Sequence, residues 1–412
     1  MINIEKFELE NGLRLIFHKD ESTPIAVVNT LYNVGSKDED PDRTGFAHLF
    51  EHLMFGGSVN IPDFDTALQF TGGENNAFTS NDITNFYITI PAQNIETAFW
   101  LESDRMLALD FSQKNLDIQR NVVIEEFKER YLNQPYGDVW MHLRKMAYND
   151  HPYSWPTIGK DISHIEGASL DDVKSFFYHF YAPNNAILVV SGNLDSQYVF
   201  DLVKKWFGGI EKRDIKIKPM PPILAQTKQN RMVLNKDVPY DALYMAFGMC
   251  KKSDPDFYAT DLLSDILSNG RSSRFYQNIL TKGEIFTELD AYITGEIYEG
   301  LFMINAVLVE GESMEVAEQM IWDEINKLII EGISEYELQK VKNKLESTKV
   351  FSEINATSRA YLIAMYELTD GADEINHEIE KYRKVTVDDI IRVAKNLFRL
   401  ENSSVLEYLA NK

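Results

Sequence analysis

The stretch His48-Leu49-Phe50-Glu51-His52 places two imidazoles and a carboxylate inside an apolar segment that runs from Phe46 to Phe55. At helical spacing the two histidines lie one turn apart, and Glu51 shares their face. The apolar residues around them are typical of a helix that is buried on every side. Polar groups in such a helix are costly unless they are paired or bind an ion. The stretch therefore predicts either a metal site or a pair of hydrogen-bonded core histidines beside a salt-bridged Glu51.

A catalytic zinc ion takes three protein ligands and keeps one position for water, so the two histidines need a third partner. A second predicted helix, over residues 116–131, offers three candidates: Glu125, Glu126 and Glu129. Glu126 stacks over Val122 and Val123, which predicts that it faces inward. Glu125 stands on the polar face of the same helix. We therefore favour Glu126 as the third ligand.

His48, His52 and Glu126 form a donor set that suits one zinc ion per chain, with manganese or cobalt as weaker alternatives. Glu51 is then not a ligand. We expect it to act as a general base on the water that the metal acidifies, and later to pass the proton to the leaving amine. The reaction indicated is peptide hydrolysis.

The composition restricts the possible partners. The chain has 412 residues, 41 basic and 64 acidic side chains and a net charge of −23, which argues against binding to nucleic acid or to an anionic membrane. No apolar run approaches the ~20 residues of a membrane helix. Residues 1–14 lack a signal-peptide pattern, so a cytoplasmic location is expected, although a removed leader would leave no trace. The single cysteine, Cys250, cannot form an internal disulfide.

The order of predicted elements indicates an internal duplication. Each half carries a strand, a helix, a strand pair and two further helices. We predict an α+β fold of two homologous domains, 1–210 and 231–412, joined by a linker at 211–230, each a mixed or antiparallel sheet with helices packed on one face. The predicted strands lie at 25–34, 242–249, 287–295 and 301–309, with a strand pair around 77–91, and the predicted helices lie at 45–55, 95–107, 116–131, 258–267, 314–331 and 335–349.

The order H-x-x-E-H is the signature of the inverted zincins. Together with further motifs it makes the chain resemble, over essentially its whole length, the insulinase/pitrilysin family of zinc metallopeptidases, in the short two-domain form related to mitochondrial processing peptidase. The resemblance implies that the chain is half of a clamshell that encloses a peptide-binding chamber with another such half. The motifs are Gly35-Ser36, Gly45 to His48, Phe55 to Ser58, Asn76 to Thr79, Arg120 to Glu126, Phe180 to Ala186 and Val190 to Gly192.

By the same resemblance, His48, His52 and Glu126 are the zinc ligands and Glu51 is the base. The resemblance also implies that Asn76 and Ala77, with Phe78, lie on an edge strand to which an extended substrate adds by β-pairing. Without it, Asn76 would be an ordinary turn residue after two glycines.

Three positions depart from the family pattern. Gln119 replaces the acidic residue that commonly lies two turns before the third zinc ligand. In the second half, Leu280 and Thr287 stand where the family carries an Arg and a Tyr that grip the substrate backbone. We therefore expect a heterodimer in which a homologous chain supplies the Arg and Tyr, and regard a homodimer as less favoured.

Two other functions are considered. One is a non-catalytic scaffold protein of the same fold, because fold does not fix function. The other is a metal-storing or redox helix bundle, which would require repeated E-x-x-H motifs on several helices. The acidic run Asp38 to Asp42 is expected to be a solvated loop before the histidine helix.

Overall fold

Two β-sheets organise the computed structural model, which describes residues 1–216, 218–283 and 285–411. Each sheet belongs to one compact unit. Unit 1 comprises residues 1–128, 155–220 and 350–377, and unit 2 comprises residues 129–154, 221–349 and 378–412. The units are thus discontinuous in sequence, unlike the predicted domains 1–210 and 231–412.

The sheet of unit 1 has the strand order β1-β2-β6-β3-β5-β4, with β2 and β6 parallel and the other neighbours antiparallel. Its central strands β3 and β6 are rich in β-branched residues and are buried almost throughout. The strands are β1 Glu5–Glu8, β2 Arg14–Lys19, β3 Ile25–Tyr32, β4 Glu74–Thr79, β5 Thr84–Pro91 and β6 Ala186–Gly192.

The sheet of unit 2 has the order β7-β11-β8-β10-β9, again with one parallel pair, β7 and β11. Its strands are β7 Asn230–Lys236, β8 Ala242–Gly248, β9 Phe286–Ile293, β10 Leu301–Leu308 and β11 Ser403–Ala410. Read from β2 to β4 and from β7 to β9, the two sheets have the same order and the same strand directions. This identity of topology supports the predicted duplication, and the α+β fold class is confirmed.

Helices flank both sheets. Those of the first half are α1 Phe46–Leu53, α2 Phe64–Gln69, α3 Ile95–Leu107, α4 Gln113–Phe127, α5 Val139–Tyr148, α6 Ile162–Glu166, α7 Leu170–Phe180 and α8 Ser196–Phe207. Those of the second half are α9 Phe257–Ser268, α10 Met314–Glu331, α11 Glu335–Ser352, α12 Ala356–Thr369, α13 Glu378–Lys384 and α14 Val387–Leu397. Among the described helices, none is both long and apolar enough to span a membrane.

Helices α5 and α12 are exchanged between the two sequence halves. Helix α12, from the second half, packs on β3 and β6 of unit 1, and α5, from the first half, packs on β11 and β8 of unit 2. The two helices occupy equivalent places in the duplicated order, since α5 follows the long helix α4 and α12 follows the long helix α11. Each unit therefore completes its core with a helix from the other half of the sequence.

Candidate metal centre

Helix α1 carries two different faces. Its apolar residues are buried in unit 1: Phe46, Ala47, Leu49, Phe50 and Leu53. The face with His48, Glu51 and His52 is partly exposed, with 13% of the His48 and 24% of the His52 side chain accessible. The prediction of a helix buried on every side is therefore wrong for this face, because the polar side chains open toward solvent.

The two histidines point the same ring nitrogen at one place. His48 Nε2 and His52 Nε2 lie 3.3 Å apart, with the ring planes at 89°. Glu126 of α4 brings its Oε2 to 3.7 Å from His48 Nε2 and 3.4 Å from His52 Nε2. Within the described part of the chain, these are the only three His, Cys, Asp or Glu side chains grouped closely enough to hold one ion.

This triangle fits a zinc ion. Ligand atoms about 2.1 Å from a tetrahedral zinc ion lie about 3.4 Å from one another, close to the three separations seen here. Two imidazole nitrogens and one carboxylate oxygen are also the donor set of known catalytic zinc sites, in which a fourth position stays open. The three residues could therefore hold zinc without rearrangement of the backbone.

The other two candidate ligands point elsewhere. The Glu125 carboxylate is exposed and lies 2.8 Å from Lys128 Nζ, and Glu129 is exposed on the π-helical turn Lys128–Leu132. The reasoning that placed Glu126 inward was only half right, because Val123 is buried whereas Val122 is exposed. Glu126 lies at the border between the buried and exposed faces of α4.

Glu51 is positioned by the sheet. Its Oε2 accepts a hydrogen bond from the Thr79 hydroxyl at 2.6 Å. Thr79 is the last residue of β4, and it fixes one carboxylate oxygen of a side chain that shares the histidine face of α1. Sequence reasoning assigned Thr79 no role, although the residue ends the Asn76 to Thr79 motif.

Strand β4 is an edge strand of the unit 1 sheet, as the resemblance implied. Asn76 is exposed, Ala77 half-buried, and Phe78 exposed with its ring 5.2 Å from that of Tyr361 on α12. The Asn76 side-chain oxygen accepts the backbone N–H of Ala77 at 2.8 Å. Gln119 lies half-buried on α4, two turns before Glu126.

Leu280 and Thr287, where the resemblance places an Arg and a Tyr, both make contacts within unit 2. Leu280 ends the π-helical turn Phe275–Leu280 and packs against the hydrophobic core of that unit. Thr287 is the extra residue of a β-bulge, since Phe286 pairs with Leu308 and Glu288 with Val307. Its hydroxyl donates to the backbone oxygen of Val307 at 3.2 Å.

Glu39 shows that the run 38–42 is not uniformly a solvated loop. Its side chain is buried, with the residue only 7% exposed, and it accepts hydrogen bonds from three donors. The donors are the backbone N–H groups of Gly45 and Ala47 and the indole N–H of Trp155. Burial raises the pKa of the Glu39 carboxyl to about 8, while the three donors stabilise its ionised form against this cost. Sequence reasoning missed this residue because an acidic run ordinarily faces water.

Two domain models of one peptidase family match this chain. Residues 14–161 match the model for the insulinase family, peptidase family M16, and residues 167–345 match the model for the peptidase M16 inactive domain. The chain belongs to the insulinase (M16) family. The domain described as inactive matches a range that includes most of the second half, whereas His48, His52 and Glu126 all lie within the range that matches the first model.

Relatives of this M16 chain are named as zinc proteases. It is 29% identical over 409 residues to the zinc protease PqqE of Helicobacter pylori, covering 98% of this chain and 92% of the relative. It is 23% identical over 398 residues to the uncharacterized zinc protease YmxG of Bacillus subtilis, covering 96% of each. A crystal structure of a protease from Helicobacter pylori superposes with a TM-score of 0.94 at 28% identity, covering 99% of this chain and all of the other.

The M16 fold also appears in a longer protein. The periplasmic protease PqqL of Escherichia coli matches with a TM-score of 0.81 at 18% identity, covering all of this chain but only 48% of PqqL. At that identity the likeness shows the fold alone.

Proposed function

We propose that this chain is the catalytic subunit of a zinc-dependent endopeptidase. The observation that carries the proposal is the triangle of His48 Nε2, His52 Nε2 and Glu126 Oε2, with Glu51 on the same helix face. The names of the relatives, zinc proteases in two bacterial species, support the same class of reaction. A non-catalytic scaffold would have no need of this donor set.

The chemistry follows from the roles of these residues. When bound, zinc would lower the pKa of a water molecule and polarise the carbonyl group of the scissile peptide bond. Glu51 accepts the proton of the attacking water on its carboxylate and later delivers it to the leaving amine. The Thr79 hydroxyl holds one Glu51 oxygen in place, so that the carboxylate keeps its orientation through both transfers. Gln119, which replaces an acid, is expected to support Glu126 less strongly than a carboxylate would.

The substrate proposed is an unfolded peptide of limited size. Asn76, Ala77 and Phe78 lie on the edge strand β4, where an extended peptide can add by main-chain hydrogen bonds that tolerate varied side chains. The net charge of −23 favours basic or neutral peptides over acidic ones. We propose that cleavage takes place in a chamber enclosed with a partner chain, in the cytoplasm.

A partner chain is inferred from the residues at two positions of unit 2, Leu280 and Thr287. Leu280 packs against the core and Thr287 occupies a bulge, and neither side chain offers the guanidinium or phenol that grips the substrate backbone in the family pattern. A homologous chain that carries this Arg and Tyr would complete the site. We therefore propose a heterodimer, with one zinc ion in this chain.

Replacing Glu51 with Gln tests the proposal directly. Glu51→Gln removes the base but no zinc ligand, so the variant should keep wild-type zinc content and lose peptidase activity by several orders of magnitude. Zinc is measured by elemental analysis and activity with a quenched fluorescent peptide, in the presence of the partner chain. Normal turnover by Glu51→Gln would refute the mechanism, and a wild-type chain that binds no zinc would refute the function.

A further inference from the structure

The residue at the N-cap of α1, Gly45, has no side chain that could cap the first turn of the helix. Gly45 precedes the helix with φ of +91°, a conformation that favours glycine. A Cβ there would also lie 2.6 Å from the backbone oxygen of Ile158 and 2.7 Å from a methyl group of Ile165. Ser, Thr, Asp and Asn, the usual N-cap residues, are therefore excluded from this position.

A carboxylate from outside the helix takes over the capping. Glu39 Oε1 accepts the N–H of Ala47 at 2.8 Å, and Glu39 Oε2 accepts the N–H of Gly45 at 3.0 Å. Trp155 holds the carboxylate in turn, since its indole N–H donates to Glu39 Oε2 at 3.0 Å and contacts the backbone oxygen of Ser36 at 3.1 Å. Trp155 is itself 3% exposed, so this support is fixed by packing.

We infer that Glu39 is a positioning residue of the metal centre. Ala47 immediately precedes His48, so the hydrogen bond that Glu39 accepts from Ala47 fixes the turn from which the first histidine projects. This inference rests on the proposed function, because it assigns to Glu39 the orientation of a zinc ligand that Glu39 does not itself touch.

The test measures zinc affinity and not activity. In Glu39→Gln, an amide NH2 replaces one acceptor oxygen and faces an N–H donor, so the first turn of α1 loses part of its cap. Loss of a group that orients a ligand typically weakens metal binding 10–100-fold. We expect the zinc dissociation constant of Glu39→Gln, measured by competition with a chromophoric chelator, to rise at least tenfold.

Asp104→Asn is the matched control. Asp104 is also 7% exposed in unit 1 and also accepts three hydrogen bonds, from Ser58 Oγ, Asn60 N and Asn60 Nδ2, but none from α1. Both variants should show a lowered melting temperature in the zinc-free form. Only Glu39→Gln should show weakened zinc binding and an altered visible spectrum when cobalt replaces zinc, because that spectrum reports the geometry of the ligands.

The results of these measurements distinguish a failure of the role inferred for Glu39 from a failure of the proposed function. Absence of zinc binding in the wild type would overturn both. Wild-type zinc affinity in Glu39→Gln, or equal weakening in Asp104→Asn, would overturn the inference alone. If Glu39→Gln does not fold, the variant Trp155→Phe provides the test instead, because it removes one hydrogen-bond donor to Glu39 and keeps an aromatic ring. We expect a weakening of a few-fold there, and an unchanged affinity would contradict the role of Glu39.

Discussion

Glu125 and Glu126 are neighbours in sequence, yet their carboxylates lie in different surroundings. Glu126 Oε2 lies within 3.7 Å of both histidine Nε2 atoms, whereas Glu125 pairs with Lys128 in solvent. We predict that Glu126→Gln weakens zinc binding by more than about 100-fold, since it alters a ligand and not merely a supporting group. Glu125→Gln is the control and should leave zinc content unchanged, as an exposed ion pair contributes little. Zinc loss in Glu125→Gln with full zinc in Glu126→Gln would reverse the assignment.

Thr79 provides a test of how Glu51, the proposed base, is oriented. Thr79→Val keeps the shape of the side chain but removes the hydroxyl that donates to Glu51 Oε2. A hydrogen bond to a charged group is worth about 1.5–3 kcal/mol, so we expect kcat to fall about tenfold or more at unchanged zinc content. Thr79→Ser retains the hydroxyl and should keep most of the activity. Equal activity of the Val and Ser variants in steady-state assays would show that the hydrogen bond does not matter for turnover.

At the scale of elements, local periodicity was enough to predict most of the helices and strands on which the site depends. Helix α1 and strand β3 were predicted to within a few residues, because their apolar spacing is a property of neighbours in sequence. The exchange of α5 and α12 was not predicted, because the hydrophobic pattern of an amphipathic helix does not indicate which sheet the helix packs on. Glu39 was missed for a related reason: its burial depends on the loop that carries Trp155, more than a hundred residues away.

The exchange has a consequence for folding. Both faces of β3 and β6 are buried, and α12 contributes buried side chains to that core, among them Ile363 and Met365. We predict that a fragment of residues 1–220 does not unfold cooperatively by circular dichroism, because without α12 it would expose apolar surface worth several kcal/mol. Adding a peptide of residues 350–377 should restore a cooperative transition, whereas the same peptide with Ile363→Asp should not. Cooperative unfolding of the fragment alone would show that α12 is dispensable.

At the scale of the whole molecule, the proposed function gives this chain the three zinc ligands, whereas Leu280 and Thr287 stand where the family pattern has the substrate-gripping Arg and Tyr. A guanidinium that binds a peptide carbonyl by charge-assisted hydrogen bonds can contribute a few kcal/mol to the transition state, and Leu280 and Thr287 cannot replace it. A tenfold change in rate corresponds to about 1.4 kcal/mol, so the absence of such contacts should cost the isolated chain two or more orders of magnitude in kcat/KM.

We therefore predict that the purified chain hydrolyses peptides poorly although it holds zinc. Mixing it with a homologous chain that carries the Arg and Tyr but a degraded H-x-x-E-H motif should raise kcat/KM at least about 100-fold, because each chain supplies what the other lacks. Substituting that Arg with Ala in the added chain should abolish the gain, while Glu51→Gln in this chain should abolish it equally. Full activity of this chain as a homodimer would refute the heterodimer and would mean that another group in unit 2 grips the substrate.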